Sequence, residues 1–78
     1  MIEYNYSKLK GRIKELEMTQ GEFAEKIGIA EPTLYKRFNH QSYFSQIEIE
    51  KAMHILNEPL SKVQLYFFTQ KVAKNKTN

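Results

Sequence analysis

The stretch from Thr19 to Phe38 leaves little freedom in how it folds. Thr19 and Glu22 have the T-x-x-E spacing of a capping box. In such a box the hydroxyl takes a free backbone N–H of the first helical turn and the glutamate reaches back to the cap. Phe23, Ala24 and Ile27 then recur at helical spacing. Gly28 follows as a natural stop, because glycine enters the left-handed region without steric cost. Only Ile29 and Ala30 separate it from the next helical pattern. Pro32 suits the first position of a helix, where its missing N–H is not needed. The residue before a proline tends away from helical angles, so Glu31 is a candidate cap. Leu34 and Phe38, four apart, supply one apolar stripe. The segment predicts two short helices, at about 20–27 and 31–38, joined by a tight turn at Gly28.

The rest of the chain reads as further helices around this pair. Residues 1–4 are expected to be extended, and Asn5 can cap a first helix. In that helix Tyr6, Leu9, Ile13 and Leu16 face inward, with Lys8, Lys10, Arg12, Lys14 and Glu15 on the other faces. Gly11 weakens it by about 1 kcal/mol relative to alanine and is expected to permit a close contact. Asn39–Phe44 has no periodicity and reads as a loop. Ser45 and Glu48 form a second capping box, opening a helix with Ile49, Ala52, Met53 and Leu56 at i, i+3, i+4 and i+7. Asn57-Glu58-Pro59 breaks it. Ser61 and Gln64 have the spacing of a third box, opening a short helix that covers the bundle with Leu60, Val63 and Tyr66 or Phe67. No segment alternates as a strand does. The expectation is an all-α fold, a compact bundle of five helices with the last short. Its core holds Phe23, Ala24, Ile27, Leu34, Ile49 and Leu56. Residues 1–68 form the domain and 69–78 a basic tail.

Charge and composition exclude several classes. The chain has 78 residues and no cysteine, so helix packing alone must stabilise it. No positively charged start precedes an apolar run, and no apolar stretch approaches the roughly 20 residues of a membrane span. A cytoplasmic protein is expected. Net charge is +3, but Lys71, Lys74 and Lys76 carry that excess, and residues 1–68 hold as many acids as bases. Within the body, no acid lies between Pro32 and Ile47, where Lys36, Arg37 and His40 fall. Neither His40 nor His54 has partners at metal-ligand spacing, so no metal or cofactor is expected. No serine sits in a nucleophile elbow, and the chain is not expected to be an enzyme.

Gln20, Ala24, Gly28 and Leu34 together make one pattern: a small residue where the helices cross, a glycine at the turn, and an apolar residue in the second helix. With T-Q-G-E-F-A-E-K-I-G-I-A-E-P-T-L-Y-K-R-F-N over Thr19–Asn39, the chain resembles the Cro and lambda-repressor-like helix-turn-helix family. Y-N-Y-S-K-L-K-G-R-I near the start and V-Q-L-Y-F-F near the end resemble small Cro-like proteins of phages infecting Gram-positive bacteria. The resemblance covers about residues 4–72. It implies a sequence-specific repressor that binds a double-stranded operator as a homodimer, with the 31–38 helix in the major groove. On that reading Glu31, Pro32 and Lys36 face bases, and Gln20, Thr33, Arg37 and Asn39 touch the backbone. Lysine can donate to guanine O6 and N7, glutamate can accept from cytosine N4, and proline can only fill space against a thymine methyl.

Two departures from the family's habit bear on this. Ala30 stands where relatives carry a serine or threonine cap, and Glu31 brings an acid toward phosphates unless it finds cytosine or Arg37. Tyr35 can equally contact DNA or pack beside the Tyr43–Phe44 loop. The alternative function is an antirepressor of the same fold that acts by binding a partner repressor protein. The last helix carries apolar residues on a second face, Leu65 and Phe68 with Val72, and a dimer interface is expected there, unless Phe68 folds back on the first helix.

Overall fold

A computed structural model describes residues 3–71 of the chain. Five helices follow in order: α1 Ser7–Glu15, α2 Gln20–Ile27, α3 Glu31–Phe38, α4 Gln46–Ile55, and α5 Val63–Phe67, which a 3₁₀ turn at Leu60–Lys62 leads into. Among the described residues there is no strand, only an isolated antiparallel bridge between Tyr4 and Gln70. The fold is all-α, as expected. No described helix is long and apolar enough to cross a membrane.

The helix starts follow local chemistry. Thr19 Oγ1 accepts from the Glu22 amide at 3.0 Å, and the Thr19 amide donates to Glu22 Oε1 at 2.8 Å. Ser45 and Glu48 repeat the arrangement at both 3.1 Å bonds. Asn5 Oδ1 accepts from the Ser7 amide at 2.9 Å, serving α1 from just outside it. Ala30, not Glu31, is the extended cap of α3, and Pro32 takes the second helical position rather than the first. The Ser61–Gln64 box does not form. Pro59 caps the 3₁₀ turn instead, and Ser61 lies inside it, where its backbone is not extended for capping.

The helix ends reveal more left-handed residues than glycine content suggests. Gly28 closes α2 with φ 84°. Glu17, His40 and Asn57 take the same region after α1, α3 and α4. Each is followed by an amide that reaches back past a full turn: Met18 to Ile13, Gln41 to Lys36 and Glu58 to Met53, at 2.9–3.2 Å. These bonds satisfy carbonyls that a helix end leaves open.

The core gathers one stripe from each helix. Leu9 and Ile13 of α1, Phe23, Ala24 and Ile27 of α2, Leu34 and Phe38 of α3, Ala52 and Met53 of α4 with Leu56, and Tyr66 and Phe67 of α5 are all buried. Fully burying each large side chain is worth about 1.5–3 kcal/mol. Tyr6 and Phe44 extend this core as an aromatic layer, Phe44 packing edge-on against Tyr6 at 5.5 Å and Phe67 at 5.1 Å. Ile49 is only partly buried, because it sits at the rim of an open groove beside these rings. Leu60 is exposed rather than covering the bundle, since the 3₁₀ turn rotates it outward.

Two residues of α1 depart from expectation. A Cβ on Gly11 would meet nothing within 4 Å, so no close approach explains the glycine. Arg12 does not lie on a solvated face. It donates to the Leu56 carbonyl at 3.0 and 3.2 Å and pairs with Glu58 at 3.2 Å, closing the C-terminal end of α4.

Candidate functional site

The α2–turn–α3 unit is the part of the molecule whose outward face the core does not explain. Helical geometry puts Leu34 and Phe38 inward and leaves an exposed arc of Glu31, Pro32, Tyr35, Lys36 and Asn39. Gln20 and Thr33 are half-buried at its edges. The expected base-facing residues Glu31, Pro32 and Lys36 therefore share one accessible surface. Asn39 caps the end of α3 on the same side.

Arg37 leaves this surface. Its Nε and Nη2 each donate to one carboxylate oxygen of Glu48 at 2.9 Å, and its Nη1 donates to Ser42 Oγ at 2.7 Å. Both partners of the ion pair are largely shielded, with side chains 17% and 14% exposed. The guanidinium beside Glu48 holds its carboxyl below the usual carboxylate range, and the Ser45 cap bonds add to this against the opposing effect of burial. The arrangement ties the end of α3 to the first turn of α4. It uses most of the donors of Arg37.

Glu31 also finds a partner other than the expected ones. Tyr35, one turn on, donates its phenol to Glu31 Oε2. The i, i+4 spacing that permits this is visible in the sequence. The bond favours the neutral phenol, and the Tyr35 pKa is raised for that reason first. Tyr35 is 43% exposed and belongs to the arc. The same carboxylate lies against the start of α2. A Cβ added at Gly21 would sit 3.0 Å from Glu31 Oε1 and 3.2 Å from Cδ. Gly21 is thus a site residue that sequence reasoning did not single out, and Tyr35 serves the site through Glu31 rather than through the Tyr43–Phe44 loop. Gly21 sits in the first turn of α2, where a glycine has no conformational role, and that oddity was its signal.

A second accessible surface lies at the far end of the bundle. Leu65 and Phe68 are each 42% exposed. The Phe68 ring stands perpendicular to Tyr4 at 5.7 Å and is not part of the buried core. Tyr4, Tyr43, Phe44 and Phe67 line the neighbouring groove of ≈ 290 Å³. Val72 lies outside the described residues, as does most of the expected basic tail. Residues 69–71 pair with residues 3–5: Asn5 donates to the Thr69 carbonyl at 2.6 Å and Lys71 to that of Glu3 at 2.9 Å.

A family model described as "Protein of unknown function (DUF739)" matches residues 2–70. No curated protein matches the chain. Among solved structures, the chain is similar to the solution structure of the modulator of repression (MOR) of the temperate bacteriophage TP901-1 from Lactococcus lactis. The two are 37% identical, the match covers 90% of this chain and 95% of that one, and the TM-score is 0.72. The likeness is to a phage protein of repression control, in line with the phage-regulator character that the sequence implied.

Proposed function

We propose that this chain, which belongs to the DUF739 family, modulates repression by binding a repressor protein rather than by reading an operator itself. The observation that carries this is the commitment of Arg37 to Glu48 and Ser42. Affinity for DNA comes largely from Lys and Arg neutralising phosphates and releasing counterions. With Arg37 turned away, the exposed arc of α3 holds one base, Lys36, and one acid, Glu31. Such a surface has no net attraction for a polyanion. It is suited instead to a protein surface of mixed charge, where complementary pairs fix register and exclude wrong partners. The similarity to a modulator of repression supports the same reading.

A second reading keeps the operator as the target. In it the chain belongs with the Cro and lambda-repressor-like proteins and binds as a homodimer. Glu31, Pro32 and Lys36 contact bases and Gln20, Thr33, Arg37 and Asn39 contact the backbone. Lys36, exposed on α3, and the exposed pair Leu65 and Phe68 favour it.

One pair of experiments separates the two. The purified chain is offered random duplex DNA for binding-site selection, and in parallel is titrated by calorimetry against each helix-turn-helix repressor encoded in the same genome. We expect no enriched motif, together with a stoichiometric complex with one repressor that changes its operator occupancy. Enrichment of a palindrome by the chain alone overturns the proposal in favour of the second reading.

A further inference from the structure

We infer that the Glu31–Tyr35 pair, seated against Gly21, is a second element, beside the withdrawal of Arg37, that keeps this chain off duplex DNA. The inference rests on the reading of the chain as a repressor-binding protein and names the residues that set its preference for protein over nucleic acid.

In a helix-turn-helix unit the first helix crosses the DNA backbone, and a helix N-terminus is a favourable seat for a phosphate, through its free N–H groups and its positive dipole end. In this chain that end already faces two carboxylates. Glu22 is bound within the capping box. Glu31 arrives from α3, with its Oε1 only 3.0 Å from where a Gly21 side chain would begin. Tyr35 holds its other oxygen and so fixes the rotamer of an otherwise flexible side chain. The absence of a side chain at Gly21 makes room for the carboxylate. A phosphate approaching this turn meets a fixed negative charge rather than a bare positive helix end, and like charges at contact distance repel strongly near a protein surface.

Four single variants test this with a fluorescent random-sequence duplex as the probe, at low ionic strength where phosphate contacts are strongest. Glu31→Gln removes the charge and keeps the shape. Gly21→Ala keeps the charge and displaces the carboxylate by crowding. Tyr35→Phe releases its tether. Glu25→Gln, an exposed α2 acid with the same effect on net charge, is the control. We expect Glu31→Gln to raise duplex affinity about tenfold or more over the wild type, the scale of one removed contact repulsion. Gly21→Ala and Tyr35→Phe should give smaller gains in the same direction, and Glu25→Gln little. Equal affinities for wild type and Glu31→Gln, including equally undetectable binding, overturn the inference, as does a gain from Glu25→Gln of the same size. Ring-labelled tyrosine NMR gives a second readout: the Tyr35 phenol should titrate above its ordinary value in the wild type and return toward it in Glu31→Gln. An unshifted Tyr35 in the wild type also overturns it. The ratio between variants judges the Glu31–Tyr35 pair. Whether the wild type selects an operator judges the repressor-binding reading, so the two can fail separately.

Discussion

Arg37 grips both carboxylate oxygens of Glu48 at 2.9 Å, spanning the loop between α3 and α4. The end of α3 and the first turn of α4 are thereby held at one geometry, and a cation that the sequence places beside Lys36 is withdrawn from the outer face.

This pair should govern behaviour in acid. The Glu48 carboxyl is held below its ordinary range by Arg37 first, so its contribution is complete at neutral pH and is lost as pH falls through the lowered folded value. Urea midpoints measured from neutral pH downward should fall more steeply for the wild type than for Glu48→Gln. Arg37→Ala should cost about 1.5–3 kcal/mol at neutral pH, the usual worth of hydrogen bonds to a charged group. A variant with unchanged stability would show that the bridge contributes nothing in solution.

At the alkaline end Tyr6 takes the opposite sign. Burial, then the nearby Tyr4 and Tyr43 phenols, push its pKa up to about 12. A raised folded value means stability that is complete below the ordinary tyrosine pKa and lost as pH rises through about 12. Tyr6→Phe should remove that part of the alkaline loss, leaving a melting temperature that declines less between neutral and strongly basic pH.

Gly11 predicts a gain. Its position on α1 is exposed, and an added Cβ meets open space. Gly11→Ala should stabilise the fold by about 1 kcal/mol, the helix-propensity difference. A thermal melt that moves downward would reveal a contact that the isolated chain does not contain.

Phe68 tests association. Because its ring is 42% exposed and rests on Tyr4, Phe68→Ser should leave the fold intact. Sedimentation at rising protein concentration should show self-association of the wild type and less of it for the variant. If both sediment as monomers throughout, the Leu65 and Phe68 surface is not where copies meet.

What was legible in the sequence was local. The Thr19 and Ser45 boxes and the Gly28 turn each involve residues within one helical turn, and all three form where the pattern places them. What was not legible depended on how the chain returns. Arg12 meets Leu56 and Glu58 across the bundle, and Arg37 meets Glu48 only because the intervening loop brings α4 alongside. Ser61 and Gln64 had the right spacing but follow Pro59, whose fixed backbone starts a tighter turn before a cap can form. At the site, the arc of Glu31, Pro32 and Lys36 was readable from helical periodicity. The seat of Glu31 against Gly21 was not, since it depends on how α3 sits against the start of α2.

The bridge between Tyr4 and Gln70 has a kinetic consequence. With the Lys71–Glu3 bond beside it, it joins the first described residues to the last and so closes the longest loop of the described chain. Loop-closure entropy grows with that length, which makes this pairing expensive to nucleate and easy to lose. Folding should therefore finish here, after α2, α3 and α4 have docked. Unfolding should begin here, with the Asn5 and Lys71 amides exchanging with solvent long before that of Phe23. The two ends act as a clasp that fastens last over an already assembled body, and its opening would bare the aromatic groove behind Tyr4 while the rest of the molecule stays closed.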